Sequence, residues 1–349
     1  MSEFHVKIVK LGKFEHHPNA DTLDITKVFD YTVITKRGEY SEGDLAVYVP
    51  IDSIFPDEQI WKQFVPRKQD GTERFPTGSI PEKYRIIDAK KIRGIFSQGC
   101  LMKPPPGNWS EGDDVREVMN ITKYEPPIPA ILGGECEKPP TEGWIFPTYT
   151  DIEGMRRYPN ILNVGEEVVL TEKIHGMNSR YVHDGNRLWV GSHHQIKRRE
   201  KNVLWNIAEE LVFVPELQKD VSLEEALSLE PWNVFFGEVF GQIQDLKYDI
   251  KQGAKFKVFD VFSIKDMKYL NHDKAVAKAT RCGLEWVPIL HRGPWDPEKL
   301  NDLCEGQSTF ASNIREGFVV KPIIERWNYH IGRVILKRIG ETYMLRKKK

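Results

Sequence analysis

The sequence predicts an α+β protein, with an N-terminal β-barrel followed by a domain of antiparallel sheets with flanking helices. Short strand-like segments separated by turns fill residues 1–124, a Pro- and Gly-rich stretch follows at 125–147, and strands mix with helices over 148–349. Closely spaced short strands are typical of a small barrel, and Pro/Gly-rich stretches commonly join domains. We therefore expect a barrel module, a linker and a second domain with these three ranges.

The barrel module is predicted from apolar–polar alternation, which places every second side chain of a strand on the same face. The predicted strands are residues 5–9, 22–29, 33–35, 45–49, 84–87 and 90–95.

In the second domain, strand-forming segments outnumber helical ones. The predicted strands are residues 167–173, 188–190, 232–240, 255–261, 317–321 and 334–338, and the predicted helices are 203–212, 223–228, 272–281 and 297–304. We expect the helices to act as lids or crossovers on the sheets.

Composition excludes several classes of protein. The 50 basic and 51 acidic residues nearly cancel, so any site for a polyanion must be a local patch. The four cysteines, Cys100, Cys136, Cys282 and Cys304, lie far apart without a CxxC pair, which argues against a zinc site or a disulfide framework and favours a reducing compartment. Neither a signal peptide nor an apolar run of about 18 residues occurs, so we expect a soluble cytoplasmic protein with no membrane partner.

The first candidate for chemistry is Lys173, in the sequence TEKIHGMN (171–178) at the end of an apolar strand. We expect a lysine that leaves a buried strand to lose its proton more readily than a surface lysine. A neutral lysine amine is a nucleophile. For the octapeptide alone, a surface lysine before a Gly turn is the simpler alternative.

Glu238 lies inside the aromatic strand FFGEVFG (235–241), where the two glycines allow a ligand to approach closely. Its carboxylate can accept ribose hydroxyls, bind a metal, or face water at a sheet edge. In FKVFDVF (256–262), alternation predicts that residues 256, 258, 260 and 262 share one face and 257, 259 and 261 the other. Phe259 can stack on a purine or pack in a core.

Two later strands carry charged candidates. Glu316 begins and Lys321 ends the apolar segment EGFVVK, and Lys337 lies within RVILKR (333–338). Carboxylates suit the Mg²⁺ that accompanies nucleotide phosphates, and a lysine in an apolar strand needs an anion such as phosphate. Charged strand ends and side chains that reach solvent are the alternatives.

In this order, the five motifs resemble those of the covalent nucleotidyltransferases, which are the ATP-dependent ligases and mRNA capping enzymes. DNA ligases and capping enzymes usually have KxDG, whereas Lys173, His175 and Gly176 followed by Asn178 resemble the KxHG version of double-strand-type and editing RNA ligases. The resemblance covers about residue 148 to the C-terminus and implies an ATP-grasp-like ligase adenylation domain.

The N-terminal segment EHHPNADTL (15–23) is similar to the opening of OB-fold tRNA-binding modules, and KIRGIFSQG (91–99) resembles a barrel strand and turn of the same class. The resemblance implies an OB-like barrel. One branch of RNA ligases has its OB domain at the N-terminus and can seal nicks whose 3′-OH strand is RNA.

On the nucleotide side, the resemblance implies that Lys173 attacks the α-phosphorus of ATP and becomes lysyl-AMP. It places Glu172 beside the adenine and Gly176 in the nucleotide pocket. It implies that Glu238 holds the ribose, with metal binding as a second role, and that Phe259 stacks on the adenine.

For the remaining residues, the resemblance implies that His175 and Asn178 shape the pocket beside the nucleophile and the nick. It implies that Glu316 binds the catalytic metal and that Lys321 and Lys337 contact phosphate. The implied cofactors are ATP and Mg²⁺ or Mn²⁺, and the implied partner is nicked duplex RNA or an RNA/DNA hybrid. The oligomeric state is open, with a monomer favoured.

The sequence departs from the family pattern at two places. His193 occupies the position where an arginine is expected, with Arg198 and Arg199 further on. Which of these residues binds the ribose or phosphate is therefore open. Related ligases often end with a KxK pair, but Ile335 and Ile339 occupy the positions two residues before and two residues after Lys337. A GTP-dependent capping-type guanylyltransferase and a non-catalytic RNA- or tRNA-binding protein are the alternative functions.

Overall fold

The computed structural model describes residues 4–56, 62, 65, 67–76, 79–125, 136–137, 146–200 and 202–346. The chain divides into two compact units. The barrel unit consists of residues 2–127 and 156–159, and the large unit consists mainly of residues 128–155 and 160–349. Most of the predicted linker, at 126–135 and 138–145, lies outside the described residues.

The barrel unit is built from short antiparallel strands. They are β1 (Lys7–Lys10), β2 (Phe14–His16), β3 (Leu23–Val28), β4 (Tyr31–Lys36), β5 (Leu45–Val49), β6 (Ser53–Ile54), β7 (Lys90–Ile92), β8 (Ile95–Ser97), β9 (Cys100–Met102) and β10 (Thr122–Lys123). The strands pair in the orders β1-β5-β9, β2-β3-β4, β7-β8 and β10-β6. Ile8, Val47, Val49 and Phe55 are fully or almost fully buried in its core.

Two predictions in the barrel unit were wrong. The predicted strand at 84–87 is replaced by a 3-10 helix, Glu82–Tyr84, and a single β-bridge between Ile86 and Ile54. The predicted strand at 90–95 is a hairpin, because Arg93 and Gly94 adopt positive φ angles of 48° and 94° and turn the chain between β7 and β8.

The two N-terminal motifs contact each other. A ring nitrogen of the buried His17 lies 3.1 Å from the Ile92 carbonyl oxygen, and the Asn19 amide donates to the Arg93 carbonyl at 3.0 Å. The HPNAD segment therefore holds the β7–β8 turn in place.

The large unit contains a seven-stranded sheet in the order β11-β16-β15-β14-β19-β20-β21. Its strands are β11 (Cys136–Glu137), β14 (Met177–His183), β15 (Leu188–Ser192), β16 (Ile196–Lys197), β19 (Asn233–Gly241), β20 (Ala254–Ser263) and β21 (Lys268–Tyr269). β11 lies in the predicted linker, and β14, which follows Lys173, was not predicted.

A five-stranded sheet has the order β12-β26-β23-β13-β22. Its strands are β12 (Glu153–Gly154), β13 (Glu167–Lys173), β22 (Ile289–Pro294), β23 (Gly317–Pro322) and β26 (Leu336–Ile339), and only the β12–β26 pair is parallel. Two hairpins complete the described strands: β17 (Leu211–Val214) with β18 (Lys219–Ser222), and β24 (Trp327–Asn328) with β25 (Gly332–Arg333).

The helices are α1 (Val203–Glu209), α2 (Leu223–Ser228), α3 (His272–Arg281), α4 (Pro297–Leu300), which continues into a 3-10 turn (Asn301–Cys304), and α5 (Glu341–Leu345). The side chains of Asn202, Ser222 and Asp296 accept backbone N–H groups and fix where α1, α2 and α4 begin. The predicted first helix continued to residue 212, but the chain leaves the helix at Glu210 and forms β17. α5 was not predicted.

The seven-stranded sheet is buried on both faces. Helices α1, α2 and α3 cover one face, where Tyr181 and Phe235 have no exposed surface. On the other face, Phe236 packs in a cluster with Val319, which lies on β23 of the five-stranded sheet, and with Ile335, which immediately precedes β26. None of the helices in the described ranges combines the length and apolarity needed to cross a membrane.

Candidate active site

Lys173 ends β13, and its amine forms an ion pair with Glu316, which lies immediately before β23 (Nζ to Oε1, 2.7 Å). The two strands pair antiparallel, with Lys173 opposite Gly317, so the register brings Glu316 to the amine. Burial alone would lower the pKa of the Lys173 amine, but the negative charges of Glu316 and Glu238 outweigh it and raise the pKa above its ordinary value. The expectation of an easily deprotonated lysine is therefore wrong for the ligand-free protein.

Glu238 is the third charged group of this cluster. Burial raises its pKa to about 8, Lys173 opposes the shift, and Glu316 adds to it. The backbone N–H of Gly176 is a hydrogen-bond donor to Glu238. A Cβ atom at Gly176 would lie 2.2 Å from the Val239 carbonyl oxygen, so only glycine permits this approach between the turn and β19.

His175 is held on both ring nitrogens. Nε2 lies 2.6 Å from the Asp245 carboxylate, and Nδ1 lies 2.8 Å from the Tyr343 hydroxyl. Its backbone N–H donates to the Tyr248 hydroxyl at 2.6 Å. Burial lowers the pKa of His175, and the nearby Glu316 and Asp245 oppose that shift only in part. The neutral ring therefore donates from Nε2 to Asp245 and accepts at Nδ1 from Tyr343.

Asn178 lies on β14 directly opposite Glu238 on β19. Its side-chain oxygen Oδ1 is buried and has no hydrogen-bond partner among the described residues. The same is true of Glu316 Oε2. Buried acceptors without donors are costly in a folded protein, so two such atoms, one on Glu316 and one on the residue opposite Glu238, are typical of a site that a ligand completes.

Glu172 points to the opposite side of β13 from Lys173, because neighbouring side chains of a strand alternate. One carboxylate oxygen, Oε2, accepts from the Thr309 backbone N–H and hydroxyl at 2.8 and 2.7 Å. The Arg315 guanidinium lies 3.8 Å away. The other oxygen, Oε1, is buried without a partner in the described part of the chain.

Phe259 lies at a β-bulge. β19 and β20 pair with a register shift that leaves Phe259 without an opposite residue. Val258 and Val261 therefore both face the helix-covered core, whereas Phe259 packs on the other side of the sheet, with its ring centroid 4.8 Å from that of Tyr149. The predicted alternation holds as far as Phe259 and fails after it, because one extra residue exchanges the two faces.

Lys321, predicted to contact phosphate, forms two ion pairs. Its amine lies 2.9 Å from Asp260 and 3.2 Å from Glu325 and is almost fully buried. Arg333 also forms an ion pair with Asp260, at 2.6 Å, and the Tyr149 hydroxyl donates a hydrogen bond to the Asp260 carboxylate at 2.8 Å. We call these five residues the Asp260 cluster. Lys321 belongs to this cluster because it lies four residues after Gly317 along β23, and Gly317 is the residue that pairs with Lys173.

Lys337 lies on the same face of the five-stranded sheet as Lys173. The strand register pairs Lys173 with Gly317 and Gly317 with Ile339, while Lys337 pairs with Val319. Paired residues share a face of the sheet. The position expected to carry a second lysine, Ile339, is therefore in the row nearest to Lys173.

The three candidates for the expected arginine lie around β16. Burial and the neighbouring His194 lower the pKa of His193. Arg198 is exposed. Arg199 forms an ion pair with Glu224 at 3.1 Å and lies over the Trp205 ring. These observations do not single out any of the three as the residue that binds the ribose or phosphate.

The family comparison decides what kind of site this is. A model of the RNA ligase family matches residues 166–339, a range that contains Lys173, Glu238, Phe259, Glu316 and Lys337. The chain belongs to the RNA ligase family. A model of an OB-fold domain matches residues 5–104, in the barrel unit. The predicted α+β fold, with an OB-fold domain before a nucleotidyltransferase domain, is confirmed.

Solved structures of the Naegleria gruberi RNA ligase share this fold over almost their whole length. A mutant with ATP and Mn is 23% identical, covers 98% of each chain and has a TM-score of 0.77. The same ligase with PPi is 24% identical, covers 97% of each chain and has a TM-score of 0.76. A mutant with AMP and Mn is 23% identical, with 97% coverage of each chain and a TM-score of 0.76. No curated protein sequence matches the chain.

Four residues of the candidate site were not predicted from the sequence of this chain: Asp245, Tyr248, Thr309 and Tyr343. Asp245 and Tyr343 lie 70 and 168 positions from the His175 that they bind. Tyr248 and Thr309 lie outside the described strands and helices. No periodic pattern marks such residues, and only a coordinate structure brings them to the motif.

Proposed function

We propose that the chain is an ATP-dependent RNA ligase that joins a 3′-OH end to a 5′-phosphate end through a lysyl-AMP. In the first step, the neutral Lys173 amine attacks the α-phosphorus of ATP, an N–P bond forms, and pyrophosphate leaves. AMP then passes to a 5′-phosphate, and the 3′-OH displaces AMP as the phosphodiester forms. A covalent intermediate divides one difficult condensation into easier transfers.

The placement of Lys173 carries this proposal. Its amine lies at the end of a strand, next to the carboxylates of Glu316 and Glu238, and Glu316 Oε2 is a buried acceptor without a hydrogen-bond partner among the described residues. A lysine kept only as a surface charge would not need this setting. His175 and Asn178 border the same site, and Gly176 allows the turn to approach β19.

A divalent cation fits the pair Glu316 and Glu238. Oε2 of Glu316 is a buried acceptor without a hydrogen-bond donor in the described ranges, and the negative charge of Glu316 makes ionisation of Glu238 harder. A cation bound between the two carboxylates would relieve this repulsion. Two carboxylates and a nucleotide phosphate are typical ligands for Mg²⁺ or Mn²⁺. When bound, the cation would neutralise phosphate charge and compete with Lys173 for the carboxylates, which favours the neutral amine.

We assign the adenosine to groups on and around β13. The Glu172 oxygen Oε1 is a buried acceptor that an exocyclic amino group, as on adenine, would satisfy. Phe259 would stack on the base, and Glu238 would accept ribose hydroxyls when it is not a metal ligand. Lys337 would contact phosphate, since it shares the sheet face of Lys173. The Naegleria gruberi ligase structures with ATP and Mn, with AMP and Mn, and with PPi support these ligands.

For the substrate we propose nicked duplex RNA or an RNA/DNA hybrid with RNA on the 3′-OH side. A protein distinguishes such a strand by its 2′-hydroxyls and A-form shape. A sealing panel with RNA or DNA placed on each side of the nick measures this preference. Equal sealing of an all-DNA nick would contradict it.

The test of the reaction is transfer of label from α-labelled ATP to the protein, with Mg²⁺ or Mn²⁺, read on a denaturing gel. We expect labelled wild-type protein, no label on Lys173→Ala, and strongly reduced label on Glu316→Ala. Lys219→Ala, at an exposed ion pair, serves as the matched control. Label from GTP but not ATP would indicate a guanylyltransferase, and RNA binding without label from either would indicate a non-catalytic protein.

A further inference from the structure

The barrel unit contains a pocket of about 140 Å³ that the catalytic assignment does not use. It lies beside β1, the β3–β4 hairpin and β10. Four phenylalanine and tyrosine side chains line it, from Phe4, Phe29, Tyr31 and Tyr48. A cavity of about 150 Å³ can hold a six-membered aromatic ring, so this pocket has the size for one base and is too small for a duplex.

Phe29 is strained and exposed at the mouth of the pocket. It occupies the two-residue turn between β3 and β4 with a φ of 54°, in the left-handed region that bulky residues rarely adopt. Glycine or asparagine forms such a turn at lower cost. Burial in a core does not explain why a phenylalanine occupies this turn position, because 45% of the Phe29 surface is exposed. The turn therefore presents an aromatic ring to solvent at a cost to the backbone.

Tyr31 and Tyr48 form a stacked pair next to Phe29. Tyr31 stacks on Tyr48 with centroids 5.7 Å apart and an angle of 19° between the planes. Phe29 meets Tyr48 edge-on, with centroids 6.2 Å apart. Tyr48 is buried, and its hydroxyl donates to the Gln98 carbonyl at 3.2 Å, which fixes the ring. Tyr31 and Phe29 keep exposed surface, so a further ring can stack there.

The charge around the rings is positive. Lys7, Lys123 and Arg157 line the pocket, and no carboxylate does among the described residues. The acidic group of the hairpin, Asp30, is shared between Lys27 at 3.5 Å and Arg156 at 3.8 Å. Aromatic rings beside cations bind the bases and phosphates of unpaired nucleic acid strands.

We propose that this pocket binds one unpaired nucleotide of an RNA strand, with its base on Tyr31 and Phe29 and its phosphates near Lys7 and Arg157. The proposal deepens the proposed function, since it names a second contact between the ligase and its RNA. Stacking tolerates any base because every base has a π-face, so the pocket would hold RNA irrespective of sequence at that nucleotide.

The test uses the full-length protein and a fluorescent single-stranded RNA oligomer, with anisotropy as the readout. Phe29→Asn removes the ring and suits the left-handed turn, so the variant should fold. Since a stacked base contributes about 1–3 kcal/mol, we expect the dissociation constant to rise about 5- to 150-fold. Phe213→Thr, at an exposed aromatic residue of β17, should leave it unchanged.

A second variant tests the phosphate contact. Lys7→Gln should lower the slope of log affinity against log salt concentration by about 0.7, the contribution of one phosphate contact on a single strand. Unchanged affinity of both Phe29→Asn and Lys7→Gln would overturn the proposal, as would an equal loss in Phe213→Thr. Competition by free AMP as effective as that by RNA would also overturn it, because the site would then bind free nucleotides.

Label transfer from ATP separates this proposal from the proposed function. Phe29→Asn should accept AMP on Lys173 as wild-type protein does, because the pocket lies in the barrel unit and Lys173 in the large unit. If wild-type protein takes no label but the RNA-binding results hold, the ligase function fails and the pocket stands. If label transfer is normal but RNA affinity does not depend on Phe29, the proposed nucleotide pocket is wrong and the ligase function is unaffected.

Discussion

The hydroxyl of Tyr343 lies 2.8 Å from Nδ1 of His175, so the last helix of the described chain reaches the nucleophile motif. Arg346 extends this contact. Its guanidinium lies over the Tyr343 ring, 3.6 Å from the centroid, and pairs with Asp245 at 3.2 Å. Asp245 in turn holds the other side of the His175 ring. The imidazole is thus fixed in orientation by a closed set of four side chains.

Tyr343→Phe should reduce ligation, because it removes the hydrogen bond to His175 but keeps the ring beneath Arg346. A neutral hydrogen bond contributes about 0.5–1.5 kcal/mol, so we expect the turnover number to fall roughly 2- to 10-fold. The KM for ATP should change little, since Tyr343 acts through His175. Steady-state sealing of a nicked substrate measures both constants. Tyr329→Phe, at a fully exposed tyrosine, is the control, and equal turnover of both variants would contradict the positioning role.

The sequence was a good guide to the strands that carry the motifs. The predicted segments at 167–173, 232–240, 255–261 and 317–321 correspond to β13, β19, β20 and β23. Apolar runs in buried strands are long and continuous, so they are visible without tertiary information. The order of charged residues on these strands then predicted that Lys173, Glu238 and Glu316 belong to one site, and the structure brings those three together.

Other features of the site depend on tertiary contacts. Val261 shares a face with Val258, against the predicted alternation, because of the bulge at Phe259, which is a one-residue event with no periodic signal. Lys321 has the spacing of a phosphate ligand, yet buried carboxylates take its charge. The raised pKa of Lys173 follows from two carboxylates that lie 65 and 143 positions further along the chain. Such pairings depend on distances between elements, which local sequence does not determine.

Gly176→Ala should disable the site, because its new Cβ would lie 2.2 Å from the Val239 carbonyl oxygen and 2.9 Å from Glu238 Cγ. The turn must then move away from β19 and carry Lys173 with it. A misplacement of about 1 Å can lower a rate on the order of 100-fold, and we expect a loss of that order in label transfer from ATP. Gly12→Ala, where no atom lies within 4 Å of the added Cβ, is the matched control. Label transfer within a factor of about two of wild type would contradict the close approach.

Glu238→Gln should change how stability depends on pH. Burial, partly opposed by Lys173, raises the pKa of Glu238 from 4.5 to about 8. Between these values the folded protein binds more protons than the unfolded chain, so the free energy of unfolding falls as the pH rises. Glutamine does not titrate, and the variant should lose less stability over this interval. Thermal unfolding midpoints from pH 5 to 8, measured with a chelator, test it. Parallel curves for wild type and variant would refute the raised pKa, and Glu111→Gln on the barrel unit controls for the loss of one acidic group.

Asp260→Asn should destabilise the large unit strongly. Asp260 has no exposed surface, lies on β20, and binds Lys321 from β23 and Arg333 from β25. The neutral amide would leave two buried cations short of negative charge, and breaking a buried pair costs about 3–5 kcal/mol. Glu225→Gln breaks the exposed pair with Lys219 and should cost about 1 kcal/mol or less. Urea unfolding of both variants measures the difference. Similar losses in the two would mean that the Asp260 cluster contributes no more than a surface pair, and the buried Lys321 would again be a candidate for phosphate.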